Sequence, residues 1–240
     1  MNAKFTISYD GTKFQGSQTQ PNGLSVEDRL QEAFKSINID TKIVLSGRTD
    51  KDVHATGQVF NAFLPSFWND LKKLKKILNK HLPNSINIKT IQEVEKDFHS
   101  RFHAKKRVYR YLVSTNKPTV FNADYISYHE KIDEAKIKEA IKLFEGVHDF
   151  EYFHKKGSDK ENTVREVFST KFYKYKDIYV FHFCANSYLR SQIRLMVGIL
   201  LKISDGKLSL EDLKKQLEKK QNKFRTPASP YGLYLAKVYY

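Results

Sequence analysis

From residue 4 to residue 9 apolar and polar positions alternate, with Phe5, Ile7 and Tyr9 on one side, which predicts a half-buried strand. A polar loop rich in Gln and Gly follows. Ser25 then caps a predicted helix whose Val26, Leu30, Ala33, Phe34 and Ile37 share one stripe. Short strands are predicted over 43–45 and 59–63. After them come a second helix, with Leu71, Leu74, Ile77 and Leu78 opposite lysines, and a strand through Ile86, Ile88 and Ile91. The order is β-α-β-β-α-β.

The rest of the chain predicts that order again. A strand over 107–113 leads to a helix capped by Asp133 and running to Phe144, then to strands over 163–172 and 179–184. A helix over 188–203, an extra short helix capped by Ser209 and a last strand over 233–239 complete it. Two split βαβ units of this kind predict an α+β protein of two ferredoxin-like halves, 1–104 and 105–240, with a central cleft. The duplication is one of topology, since no residue-level repeat accompanies it.

With 40% hydrophobic and 29% charged residues, the 240-residue chain has enough apolar side chains for a core and is no disordered polymer. No apolar run nears the roughly 18 residues of a membrane span, and the first ten residues lack the apolar stretch of a signal peptide. Neither a secreted nor a membrane protein is expected. Cys184 is the single cysteine, which excludes an internal disulfide or a thiolate metal cluster and suits a reducing cytoplasm. Of eight histidines only His99 and His103 stand at i,i+4 spacing, with no carboxylate between them, so no metal site is expected.

Charge changes the picture most. Lysine and arginine number 42 against 27 acids, a net charge of +15. Such an excess favours a polyanion, because phosphate contacts release condensed counterions. The 17 Phe, 14 Tyr and one Trp supply flat groups for base stacking, so a nucleic acid is favoured over a lysine-rich surface kept for solubility. Lysine outnumbers arginine 33 to 9, which marks each arginine as a place where a planar fork is wanted.

Three segments concentrate candidate chemistry. In Ser46-Gly47-Arg48-Thr49-Asp50-Lys51-Asp52-Val53-His54-Ala55 a carboxylate stands near a guanidinium, which keeps a carboxylate ionised and available as a nucleophile. The same residues also suit a polar loop with a surface ion pair. On a strand, Arg107, Tyr109 and Tyr111 share one face and Val108, Arg110 and Leu112 the other, which suits either a stacking platform or a half-buried core strand. On a helix, Arg190 and Arg194 are i,i+4 neighbours beside the apolar stripe of Leu189, Ile193, Met196, Val197 and Leu200.

Taken together and in order, these segments resemble the TruA-type tRNA pseudouridine synthase family. The likeness begins at Tyr9-Asp10-Gly11-Thr12-Lys13-Phe14-Gln15-Gly16 and continues through Gly47-Arg48-Thr49-Asp50, Val53-His54-Ala55, Leu82-Pro83 and Phe98-His99-Ser100-Arg101-Phe102. It goes on through Tyr109-Arg110-Tyr111, Gly146-Val147-His148-Asp149-Phe150, Thr163-Val164-Arg165 and the stretch 189–198, and ends at Pro230-Tyr231-Gly232-Leu233-Tyr234-Leu235. The resemblance implies an isomerase that converts uridine to pseudouridine at positions 38, 39 and 40 of the tRNA anticodon stem-loop. It makes Asp50 the catalytic aspartate, as nucleophile or base, with Arg194 paired to it. Tyr109 then stacks on the uracil and Arg48 assists base flipping, with Arg107 and Arg190 as further RNA-binding residues. It implies no cofactor, tRNA as partner, and a cytoplasmic homodimer.

Two positions depart from the family's pattern. Where it usually has Ala-Gly after the aspartate, this chain has Lys51-Asp52, and where it has Gly-Trp-Gln this chain has Gly16-Ser17-Gln18. Aspartate adds a charge and accepts a left-handed backbone less readily than glycine. Two other readings stand beside the enzyme. One is a non-catalytic RNA-binding or RNA-chaperone protein on the same scaffold. The other is an aspartyl-phosphate phosphatase, for which Asp50-Lys51-Asp52 is a loose match and which predicts a doubly wound parallel sheet.

Overall fold

The structure is a computed structural model and describes residues 1–21, 23–155 and 162–240. The chain forms two compact units, residues 1–105 with 234–240, and residues 106–233. Both are mixed α and β.

In the first unit the alternating start forms β1 (Asn2–Tyr9), followed by a 3-10 turn (Gly11–Lys13) and α1 (Val26–Lys35). Then come β2 (Val44–Leu45), β3 (His54–Phe63), α2 (Leu71–His81) and β4 (Ile86–Val94). β1 lies between β3 and β4, antiparallel to both, and β2 pairs antiparallel on the other side of β3. The order β4-β1-β3-β2 is that of a split βαβ unit.

Local sequence explains both helices. Ser25 accepts from the amide of Asp28, whose carboxylate accepts in turn from the Ser25 amide, a reciprocal cap worth about 1 kcal/mol. Asp70 caps α2 through the amide of Lys73. The faces that carry Leu30, Phe34, Leu74 and Leu78 are buried. Phe5 stacks on Phe60 with ring centroids 4.5 Å apart, and Phe34 meets Phe5 edge-on at 5.4 Å. Asn79 fixes α2 to β4 by donating to the Ile88 carbonyl and accepting from its amide.

The last strand of the chain, β10 (Leu233–Tyr239), runs parallel to β3, with Tyr234 opposite His54 and Leu235 opposite Ala55. Close approach demands a glycine here. A Cβ on Gly57 would lie 2.2 Å from the Ala236 carbonyl oxygen.

The second unit holds β5 (Lys106–Ser114), β6 (Ser127–Tyr128), α3 (Glu134–Lys142), β7 (Gly146–Asp149), β8 (Val164–Tyr175), β9 (Ile178–Ala185), α4 (Gln192–Ser204) and α5 (Leu210–Leu217). β9 pairs antiparallel with β5 and β8, β7 pairs antiparallel with β8, and β6 lies parallel beside β5. Asp133 and Ser209 cap α3 and α5 as their positions predict. The sequence pattern does not predict β6 and β7, which are two and four residues long. The mainly antiparallel pairing in both units does not match the doubly wound parallel sheet of the phosphatase reading.

One motif is corrected. The helix expected from residue 188 begins only at Gln192, because Ser191 has a φ of 59°, in the left-handed region. The Gln192 side chain accepts from the Leu189 amide at 2.8 Å and holds the preceding residues in a turn. Arg190 therefore lies ahead of α4, and only Arg194 lies on it. The two are not neighbours on one helical face.

Candidate functional site

In the first unit Asp50 stands at the head of a tight turn. The amide of Val53 donates to its carbonyl at 3.2 Å, and Asp52 between them has a φ of 63°. Arg48 and Lys51 are exposed, while Asp50 and Asp52 are half-buried. The turn rests on β3: Ser46 Oγ donates to Gln58 Oε1, and Gln58 Nε2 donates to the Gly47 carbonyl, at 2.7 and 2.9 Å.

The loop after β1 wraps the other side of this turn, which explains the Tyr9-Asp10-Gly11 motif. A Cβ on Gly11 would fall 2.1 Å from the Val53 carbonyl oxygen, so only glycine fits. The Gly11 amide donates to His54 Nδ1 at 3.1 Å, which makes that nitrogen an acceptor, and the buried His54 ring stacks on Tyr234 at 4.7 Å. The Tyr9 and Thr49 hydroxyls share a buried hydrogen bond of 2.8 Å. Burial pushes the Tyr9 hydroxyl up to about 12 despite hydrogen bonds with Thr49 and Gln58, so it stays neutral.

Ser17 completes the support. Its Oγ accepts from the Thr49 amide at 2.8 Å, and its own amide donates to the Thr49 carbonyl at 3.1 Å. Sequence reasoning assigns neither Tyr9 nor Ser17 a role. For Ser17 the one available signal is its departure from the family's aromatic.

The second unit holds the remaining candidates. Tyr109 on β5 is buried with Arg107 and Tyr111, on the face that alternation predicts. Its ring meets Tyr188 edge-on, centroids 5.2 Å apart and planes at 83°. The Tyr188 hydroxyl is buried without a hydrogen-bond partner among the described residues, and burial, then Cys184 and Tyr109, push it well above its ordinary value. Arg107 donates through Nη1 to the Asn186 carbonyl at 2.9 Å. Arg190 is exposed, and its carbonyl accepts from the Lys155 amide.

Arg194 is half-buried and held by the segment that follows α5. Its Nε donates to the Ala228 carbonyl at 2.7 Å, and the Ala228 amide donates to the Arg194 carbonyl at 2.8 Å. One turn further along α4, a Cβ on Gly198 would sit 2.6 Å from the Thr226 carbonyl oxygen. The segment 224–228 thus crosses α4 closely enough to reach Arg194. Below it, the buried Tyr111 hydroxyl bonds Ser127 Oγ and the Ser229 carbonyl, at 2.6 and 2.8 Å. Burial pushes that hydroxyl up to about 12, against the Ser127 bond and the nearby Arg194 charge.

Among the described residues no group of three or more His, Cys, Asp or Glu side chains is placed to hold a metal ion, and no helix is long and apolar enough to cross a membrane.

The sequence profile described as tRNA pseudouridine synthase matches residues 6–103 and 140–240. The chain is 41% identical over 240 residues to tRNA pseudouridine synthase A of Campylobacter jejuni (strain RM1221), covering 100% of each chain. It is 44% identical to the Wolinella succinogenes protein of that name, over 97% of this chain and 92% of that one. To the Helicobacter hepaticus protein of that name it is 40% identical, over 99% and 98% of the two chains. A solved chain titled as part of a Cbf5-Nop10-Gar1 complex aligns at 14% identity and a TM-score of 0.39, covering 82% of this chain and 44% of that one.

Proposed function

Because this chain belongs to the tRNA pseudouridine synthase family, whose members isomerise uridine to pseudouridine, we propose that it acts at positions 38, 39 and 40 of the tRNA anticodon stem-loop. In the reaction the bond from C1′ to N1 of the base breaks, C1′ joins C5, and a proton leaves C5 while N1 gains one. Substrate and product are isomers, so no redox equivalent is consumed.

Asp50 is the catalytic carboxylate, serving as nucleophile or base, and Arg194 pairs with it. Tyr109 stacks on the uracil, and Arg48 assists extrusion of the nucleotide from its helix, a step required because C1′ and C5 are out of reach in a stacked base. Arg107 and Arg190 add contacts to the RNA. The observation that carries this reading is the setting of Asp50, half-buried at the head of a turn whose flanks are tied to β3 and to the loop after β1. A rigidly carried carboxylate is what an enzyme needs and what a solvated hairpin loop lacks.

The net charge of +15 supports tRNA as the partner, and a homodimer in the cytoplasm is the proposed working form. Pseudouridine mapping in tRNA from cells with and without the gene tests the assignment. Loss at the three positions is expected, and unchanged maps would sink it. Sedimentation of the purified protein tests the dimer.

A further inference from the structure

Thr49, the residue before Asp50, is held at three points. Its amide and its carbonyl both engage Ser17, and its hydroxyl engages Tyr9. All three residues are buried, with Ser17 at 0% exposure. The clamp is also anchored to a rigid element, because the Ser17 carbonyl accepts from the Glu27 amide at 3.0 Å and the Gly16 carbonyl from the Val26 amide at 3.2 Å. These are first-turn amides of α1, which have no partners within their own helix. Gly16 itself has a φ of 105°, and a Cβ there would stand 3.1 Å from the Thr49 carbonyl oxygen.

We propose that Ser17 is a positioning residue for the reaction: by holding the backbone of Thr49 against the start of α1, it fixes where Asp50 presents its carboxylate. This rests on Asp50 being the catalytic group. The physical argument is one of leverage. Beyond Asp50 the chain is closed by the bond from Val53. Before it, Ser17 Oγ is the acceptor for the buried Thr49 amide. Without that acceptor the buried amide is orphaned, and the loop between β2 and β3 that carries Asp50 relaxes to find another partner. A shift of about 1 Å at a reacting group costs on the order of a hundredfold in rate.

Ser17→Ala, Tyr9→Phe and Asp50→Asn are compared with the unaltered chain. Single-turnover pseudouridine formation is measured at saturating tRNA, tRNA affinity at equilibrium, and the folded fraction by melting. Ser17→Ala should slow the chemical step about 10- to 100-fold and change the tRNA Kd by less than about twofold. A Ser17→Ala enzyme as fast as the unaltered one, beside an inactive Asp50→Asn, overturns the positioning role and leaves the catalytic reading intact. An Asp50→Asn enzyme of nearly unaltered rate overturns that reading and this inference together. A loss in Ser17→Ala that disappears at saturating tRNA, or that follows the folded fraction, assigns Ser17 to binding or stability and overturns the proposal. Should Ser17→Ala not fold, Tyr9→Phe removes only the other tether, and its rate should fall about 3- to 10-fold with affinity kept. An unchanged rate there is then the overturning result.

Discussion

The amide of Val53 closes on the carbonyl of Asp50 at 3.2 Å, and the turn between them puts Asp52 at a φ of 63°. The family pattern that the sequence resembles usually has glycine at this position. Aspartate is among the residues that tolerate the left-handed region best, but it still meets a steric penalty there that glycine escapes.

Asp52→Gly should therefore stabilise the protein by about 0.5–1 kcal/mol, raising the Tm by about 1–4 °C, and Asp52→Ala should destabilise it by a similar amount. Paired thermal melts check this. Equal melting points for all three chains would show that the turn carries no strain.

Asp50→Asn keeps the shape of the side chain and removes its charge and nucleophilicity. Pseudouridine formation should become undetectable while the fold survives. Affinity for tRNA should hold or rise, since a negative charge has left a phosphate-binding surface. Product formed within about tenfold of the unaltered rate, a barrier change of only ~1.4 kcal/mol, would remove Asp50 from the chemistry. Arg194→Lys keeps the charge but loses the planar fork whose Nε holds the Ala228 carbonyl, so turnover should drop more than binding.

Lys72, Lys73 and Lys76 stand exposed on α2, with Lys75 half-buried beside them. Their charge should contribute to tRNA binding that weakens steeply with salt. Replacing Lys72 and Lys76 with glutamine should lower affinity at low salt. It should also flatten the plot of log K against log salt by about 0.7–0.9 for each phosphate that a replaced lysine had neutralised. A plot of unchanged slope would place the RNA elsewhere on the protein.

Acid should loosen the second unit through Glu145. Burial pushes its carboxyl up, but hydrogen bonds from Lys142 and from the amide and hydroxyl of Thr170 outweigh that and hold it below its ordinary value of 4.5. A carboxyl lowered by folding contributes stability that is fully present above the unfolded value and is lost as pH falls through the folded one. Melting points should thus be level with respect to this group above about pH 5 and decline below pH 4.5. Glu145→Gln should flatten that decline, and an acid limb identical to that of the unaltered chain would exclude Glu145 as a cause.

The sequence by itself determined the elements whose causes are local. Ser25, Asp133 and Ser209 cap the helices that follow them, because a cap needs only an amide three residues away. Alternation placed Phe5 and Ile7, and Arg107, Tyr109 and Tyr111, on the faces that are buried. The joint order of the motifs from Tyr9 to Leu235 identified the family. Tertiary structure decided what depends on partners distant in sequence. The last strand, which its position in the chain joins to the second half, packs in the first unit, because the backbone of Ala236 settles against Gly57. A left-handed Ser191 delayed α4 and separated Arg190 from Arg194, a backbone choice that apolar spacing does not encode. Ser17 acquired its contacts to Thr49 across 32 residues. A serine's spare acceptor carries no sign in the sequence of which amide it will meet, and only the folded chain brings the two together.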